Sequence, residues 1–139
     1  SPNYGGYIYA LRVYGDYIYA GGATTRTIRR YNLSDLSYVD ASPDYGGTIN
    51  ALAVSGNYVY AAGVTTNTIR KYNASDLSYT SVASPTYGGA IYALRVYGDY
   101  IYAGGATTNT IRRYKLTDLT LVDSSPNYGG TISALALSI

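Results

Sequence analysis

The sequence predicts an all-β protein made of four-stranded antiparallel sheets that repeat about every 41 residues. Three observations lead there. The signal Ser-Pro-x-Tyr-Gly-Gly recurs at Ser1, Ser42, Ser84 and Ser125, at spacings of 41, 42 and 41 residues. The sixteen letters ALRVYGDYIYAGGATT occur twice without a change, at 10–25 and 93–108. Between these signals run short stretches rich in Tyr, Ile, Val and Thr, punctuated by Gly, Asn and Asp, with no helix-period segment that has caps.

The first unit shows the pattern element by element. Residues 7–14, YIYALRVY, are β-branched and aromatic and too short for a typical helix, so they read as the first strand. Gly15-Asp16 is a tight turn into YIYA at 17–20, completing a hairpin. Gly21-Gly22 and the Thr-rich ATTRT break the chain before a third strand at 27–31. NLSD is a turn, since Asn, Ser and Asp side chains bond their own backbone. A fourth strand follows at 36–40. The units are read as 1–41, 42–83 and 84–124, with a partial fourth at 125–139; units one and three differ at eight positions. Unit two carries one extra residue in YTSVA, at 79–83. The stub residues 131–139, TISALALSI, match a first strand and bring the expected total to thirteen strands.

Four antiparallel strands at this period are the arrangement of a β-propeller blade, so the fold class is an all-β propeller of three blades plus one extra strand per chain. Laid out as YIYAGG…TIRRYN.SDLSY, the unit resembles propeller repeats of the kelch, WD40 and YVTN kind. The Gly-Gly doublet and the third-strand tyrosines Tyr31, Tyr72 and Tyr114 are most similar to kelch. The Trp that kelch places after its third strand is Tyr38, Tyr79 or Leu121 here, and WD40's Trp-Asp and Gly-His are missing. Inner blade strands are buried on both faces, which accounts for the nearly unbroken apolar run IYALRVY.

Composition narrows function mainly by what it excludes. The chain has 139 residues written in thirteen residue types, without His, Cys, Met, Trp, Phe, Glu or Gln. His, Cys and Glu carry most acid–base, nucleophilic and metal-ligand work, so an enzyme is not expected, and a serine triad is impossible. The narrow alphabet, with no initiator Met and a unit that stops midway, marks an engineered or recently amplified repeat protein. No cofactor or metal site is expected: the eight Asp residues never cluster at ligand spacing. A net charge of +2 argues against nucleic-acid and membrane-surface partners, and neither a signal segment nor a membrane span is visible. Localisation stays open. Asn32 and Asn73 match the glycosylation acceptor pattern, at turns that favour Asn in any case.

Three blades fall short of the four to eight that close a propeller, and an open arc leaves apolar faces in water. The expected partner is therefore the chain itself: a homodimer of six blades is favoured, and a trimer would give nine. The stub then replaces residues 7–14 of a neighbour, packs as an incomplete extra blade, or is a cloning or deletion boundary with no role of its own. First-strand positions alternate in size, with Tyr9, Arg12 and Tyr14 and again Tyr92, Arg95 and Tyr97 against Asn50, Ala53 and Ser55 and then Ser133, Ala136 and Ser138. Candidate channel residues are Arg12, Tyr14, Arg95 and Tyr97, which could bind an anion or a sugar; the plainer expectation is that these arginines stack on Tyr or pair with Asp. The third-strand pairs Arg29-Arg30, Arg70-Lys71 and Arg112-Arg113 are expected to pair with Asp35, Asp76 and Asp118. The leading function is a structural, self-assembling repeat protein; the alternative is a lectin-like or adhesin-like propeller for glycans or proteins.

Overall fold

The computed structural model describes residues 3–136. Within them lie three four-stranded antiparallel sheets, each continuous in sequence. The first holds β1 (Ile8–Tyr14), β2 (Tyr17–Gly22), β3 (Arg29–Asn32) and β4 (Tyr38–Ala41). The second holds β5 (Ile49–Ser55), β6 (Tyr58–Gly63), β7 (Ile69–Asn73) and β8 (Tyr79–Ala83). The third holds β9 (Ile91–Tyr97), β10 (Tyr100–Gly105), β11 (Arg112–Lys115) and β12 (Leu121–Ser124). The sheets stack through their first strands, β1 on β5 and β5 on β9, with β2 and β6 adding to the contact. The core accordingly lies between sheets: Leu52 and Leu94 are fully buried, as are Ile49 and Ile91.

Turn chemistry explains the strand order. Gly15, Gly56 and Gly98 have φ near +60°, at the first central position of two-residue turns, which L side chains avoid. Asp35, Asp76 and Asp118 each accept from the main-chain N–H and the hydroxyl two residues on, at Ser37, Ser78 and Thr120. This holds their carboxyls below the ordinary Asp range, the bonds from those same residues being the main cause.

The Ser-Pro-x-Tyr-Gly-Gly connector is a clasp. Ser42 Oγ accepts from Ile28 N–H at 2.8 Å and donates to Pro43 O at 2.8 Å. Ser84 repeats this with Ile69 and Pro85. The connector tyrosines reach into the blade that follows: Tyr4 donates to Thr27 O, Tyr45 to Thr68 O and Tyr87 to Thr110 O. Gly63 and Gly105 N–H donate back to Tyr45 and Tyr87 Oη at 3.0 Å.

Three expectations need correction. The Gly-Gly doublets do not break the chain but end β2, β6 (as Ala62-Gly63) and β10, with Gly21 still paired to Ala10 and Gly22 to Ile8. The reason is close approach: a Cβ on Gly21 would lie 2.6 Å from Ile49 Cγ2 of the next sheet, and one on Gly22 would lie 1.9 Å from Tyr7 O. Third and fourth strands start two residues later than expected, because Arg26 and Leu36 sit in the left-handed region at φ 54° and 62° and hold their stretches in turns. Residues 131–136 form no strand, so the described chain has twelve; residues 137–139 of the expected thirteenth lie outside the described residues. The stub nevertheless packs as the start of a further blade. Ile132 lies against Gly104 as Ile49 lies against Gly21, with Cγ2 at 2.6 Å from the Cβ position in both, and Ile132 N–H donates to Gly105 O at 3.0 Å.

The extra residue of the second unit is absorbed as an enlarged bulge. Lys71 pairs with Val82 and Tyr72 with Tyr79, leaving Thr80 and Ser81 unpaired. Thr80 Oγ1 donates to Lys71 O at 2.7 Å, and Ser81 takes φ 68°.

Candidate functional site: blade junctions and the inner channel

The side chains with chemistry to offer lie at the junctions between sheets. Each third strand carries two adjacent cations, and alternation sends them to opposite faces. The first of each pair lies over tyrosine rings: Arg29 is 5.4 Å from the Tyr4 centroid and 5.6 Å from Tyr38, Arg70 is 5.4 Å from Tyr45, and Arg112 is 5.2 Å from Tyr87. The second of each pair faces the next blade. Arg30 makes a fork with Asp40, Nε to Oδ1 at 2.8 Å and Nη2 to Oδ2 at 2.6 Å. It then crosses the junction, giving Nη1 to Ala74 O at 2.9 Å and Nη2 to Ser75 O at 3.0 Å.

One blade further on, Lys71 Nζ donates to Thr117 O at 3.0 Å, and Tyr60 Oη donates to Leu116 O at 3.3 Å. Burial lowers the Lys71 ammonium pKa, with Asp118 partly opposing. Burial likewise pushes the Tyr60 phenol up to about 12. Arg113 repeats the fork of Arg30 on Asp123, Nε at 2.9 Å and Nη2 at 2.6 Å, but no further blade follows it. Its side chain is 36% exposed against 8% for Arg30.

The expected partners of these cations were the turn aspartates. The ion pairs instead use Asp40 and Asp123 on the fourth strands, because those residues stand directly opposite Arg30 and Arg113 in register. Sequence reading missed Arg30, Lys71 and Arg113 as junction donors. The available signal was that only the second residue of each pair stands in register with Tyr19, Tyr60 and Tyr102, themselves opposite the small and large first-strand positions Arg12, Ala53 and Arg95.

Of the four channel candidates, Arg12, Tyr14 and Arg95 line one depression of roughly 190 Å³ beside Ala53 and Val96. Tyr97 is not part of its wall and stands half exposed. The arginines neither stack on Tyr nor pair with Asp among the described residues. Each gives one bond to the carbonyl just before it, Arg12 Nη1 to Leu11 O and Arg95 Nη1 to Leu94 O, both at 2.8 Å. The ion pairs among the described residues go elsewhere, Asp44 to Arg26, Asp40 to Arg30 and Asp123 to Arg113, so no counter-charge reaches them. Burial, then the nearby Arg95, lowers the Arg12 pKa. No group of three His, Cys, Asp or Glu side chains converges among the described residues, and none of their helices is long and apolar enough to cross a membrane.

No family model matches the sequence, and no curated protein does. Solved structures do match. The crystal structure of the computationally designed Ika4 protein superposes with a TM-score of 0.85 at 18% identity, covering 99% of this chain and 84% of that one. The computationally designed Ika8 protein gives 0.79 at 19%, covering 95% and 40%. The WD40 repeats of RRP9 give 0.80 at 14%, covering 91% and 41%, so the chain spans about two fifths of those two. Identities this low establish the fold alone. The repeats are β-propeller blades.

Proposed function

We propose that this chain is a structural repeat protein without catalytic activity, whose work is self-assembly into a closed propeller, with two copies supplying six blades. The observation that carries it is an unequal pair of equivalent faces. Leu52 and Leu94 are 0% exposed because a preceding blade covers them, whereas Leu11, at the same position of the first blade, is 53% exposed. Ile8 and Val13, at the positions of Ile49 and Val54, are exposed as well. An apolar sheet face of this kind seeks a partner, and the interior junctions define its shape. A second copy offers the same surface that covers Leu52, and joining copies head to tail makes a ring when the rotation closes.

The stub occupies the seat on the third blade that a following blade needs. Among the described residues its hold is slight, one main-chain bond at Ile132 with the side chains of Ile132 and Leu135, so an incoming β1 with its full hairpin displaces it. Native mass spectrometry tests the reading. A species at twice 14.9 kDa supports six blades and one at three times that mass supports nine. A stable monomer at every concentration overturns it and leaves a continuation of the same chain as the occupant of the open face.

A second reading, a binding module, is favoured by the two arginines without counter-charge at the Arg12–Arg95 depression. Its ligand class is a small multivalent anion. Titration with inorganic phosphate should raise the melting temperature of the protein and not that of Arg12→Ala/Arg95→Ala; no shift in either sinks it.

A further inference from the structure

We infer that Arg113 is the polar lock between chains, closing on the main-chain carbonyls of Leu33 and Ser34 of a second copy. This rests on the assembly reading above and names the contact that specifies it. The argument is a comparison of three equivalent sites in one molecule. The turn after each third strand presents two consecutive carbonyls to the blade before it. In the second blade these are Ala74 and Ser75, both taken by Arg30. In the third they are Leu116 and Thr117, taken by Tyr60 and Lys71. In the first blade they are Leu33 and Ser34, which accept no hydrogen bond among the described residues. Leu33 is also exposed, while Leu116 packs against the core.

The unused donors stand at the other end of the array. Arg113 is already aimed. Its fork on Asp123 matches that of Arg30 on Asp40 within 0.1 Å, and its guanidinium lies 4.8 Å from the Tyr100 centroid where Arg30 lies 4.6 Å from Tyr17. What Arg30 has and Arg113 lacks is the pair of carbonyls: Nη1 of Arg113 donates to nothing among the described residues. Tyr102 likewise stands where Tyr60 does but is only half buried. One end therefore carries an oriented donor set, and the other an oriented acceptor pair, each a copy of groups that meet inside the chain. The occupant that fits both is a second copy of this chain.

Sedimentation or native mass spectrometry across a dilution series, on the unmodified chain, Arg113→Ala and Arg113→Lys, tests this. Losing both carbonyl bonds at each junction should raise the concentration for half-assembly at least about tenfold, and at least about a hundredfold for a ring closed by two junctions. Arg113→Lys should fall between the parent and Arg113→Ala, because Lys71 makes a single Nζ bond where Arg30 makes two. The melting temperature of dilute Arg113→Ala should fall by no more than a few degrees, the loss of an exposed pair with Asp123 and of the contact with Tyr100, since Arg113 touches nothing beyond its own blade. If the parent assembles and Arg113→Ala assembles equally well, the lock is wrong while self-assembly stands. If the parent never assembles, both fall.

Discussion

The sharpest test of the open first blade compares one substitution at two equivalent positions, Leu52→Ala and Leu11→Ala. Leu52 is fully enclosed, with Cδ1 3.5 Å from where Gly21 would carry a Cβ. Truncating it removes a buried side chain and leaves a cavity between two blades, which costs about 2–5 kcal/mol. Leu11 holds the equivalent position of the first blade but is 53% exposed. Only the hidden half of its apolar area returns to water and no closed cavity forms, so the loss is about 1 kcal/mol or less. Urea unfolding followed by far-ultraviolet circular dichroism, at chain concentrations where single copies predominate, reads the difference. With a slope of roughly 2 kcal/mol per molar, Leu52→Ala should lower the midpoint by about 1–2.5 M and Leu11→Ala by about 0.5 M at most. Raising the concentration should then expose a second effect at Leu11 alone, a weaker assembly. Equal midpoint losses in dilute solution would refute the reasoning, because Leu11 would then already be covered within one chain.

Three further outcomes follow from the same geometry. Burial raises the phenols of Tyr60, to about 12, and of Tyr72 and Tyr114, so the unfolded chain gives up these protons near pH 10 while the folded chain keeps them. Their contribution is complete below pH 10 and is lost as pH rises through the folded values, about 3 kcal/mol from Tyr60 alone. Urea midpoints between pH 9 and 11.5, followed with tyrosinate absorbance, should fall steeply, and a flat profile contradicts the burial argument. Deleting residues 128–139 should strengthen assembly in a dilution series by clearing the seat on the third blade; loss of assembly would instead mean that the stub serves as a neighbour's first strand. Ser81→Gly should raise stability by about 0.5–1 kcal/mol in the same urea assay, since Ser81 holds φ 68° in its bulge and glycine adopts that backbone without steric cost.

Much of the fold was legible because repetition multiplies weak signals. One Gly-Asp between apolar runs is a modest hairpin cue, but Gly15-Asp16 and Gly98-Asp99 lie in identical surroundings, with Gly56-Asn57 at the same place between them. The connector could be found by its spacing, yet its purpose could not: nothing in the letters says that Tyr45 reaches into its own blade or that Ser42 caps Ile28. Strand ends were misplaced where a non-glycine residue takes positive φ, as Arg26 and Leu36 do, because side-chain type gives no warning of it. The Gly-Gly doublets were taken for breaks since their cause, the approach of Ile49 and of the Tyr7 carbonyl, is long-range. At the site, Arg12 and Arg95 lie on the first strands β1 and β9, but the junction donors were not separated from the cations beside them.

Identical letters in unlike surroundings carry the functional argument. The stretch at 10–25 and its twin at 93–108 fold to the same hairpin, yet Leu94 is enclosed where Leu11 meets water, and Tyr19 is enclosed where Tyr102 is not. Local sequence cannot produce that difference; only position in the array does. The open ends are complementary, not alike, since one bears the donors of Arg113 and the other bears acceptors at Leu33 and Ser34. Under the proposed assembly, like ends would set donor against donor, so copies would join only in one sense. That sense leads either to a ring or to an unlimited filament, and the rotation from one blade to the next decides between them. A ring leaves every blade with the surroundings of the second one, every Leu11 as enclosed as Leu52, and no donor idle.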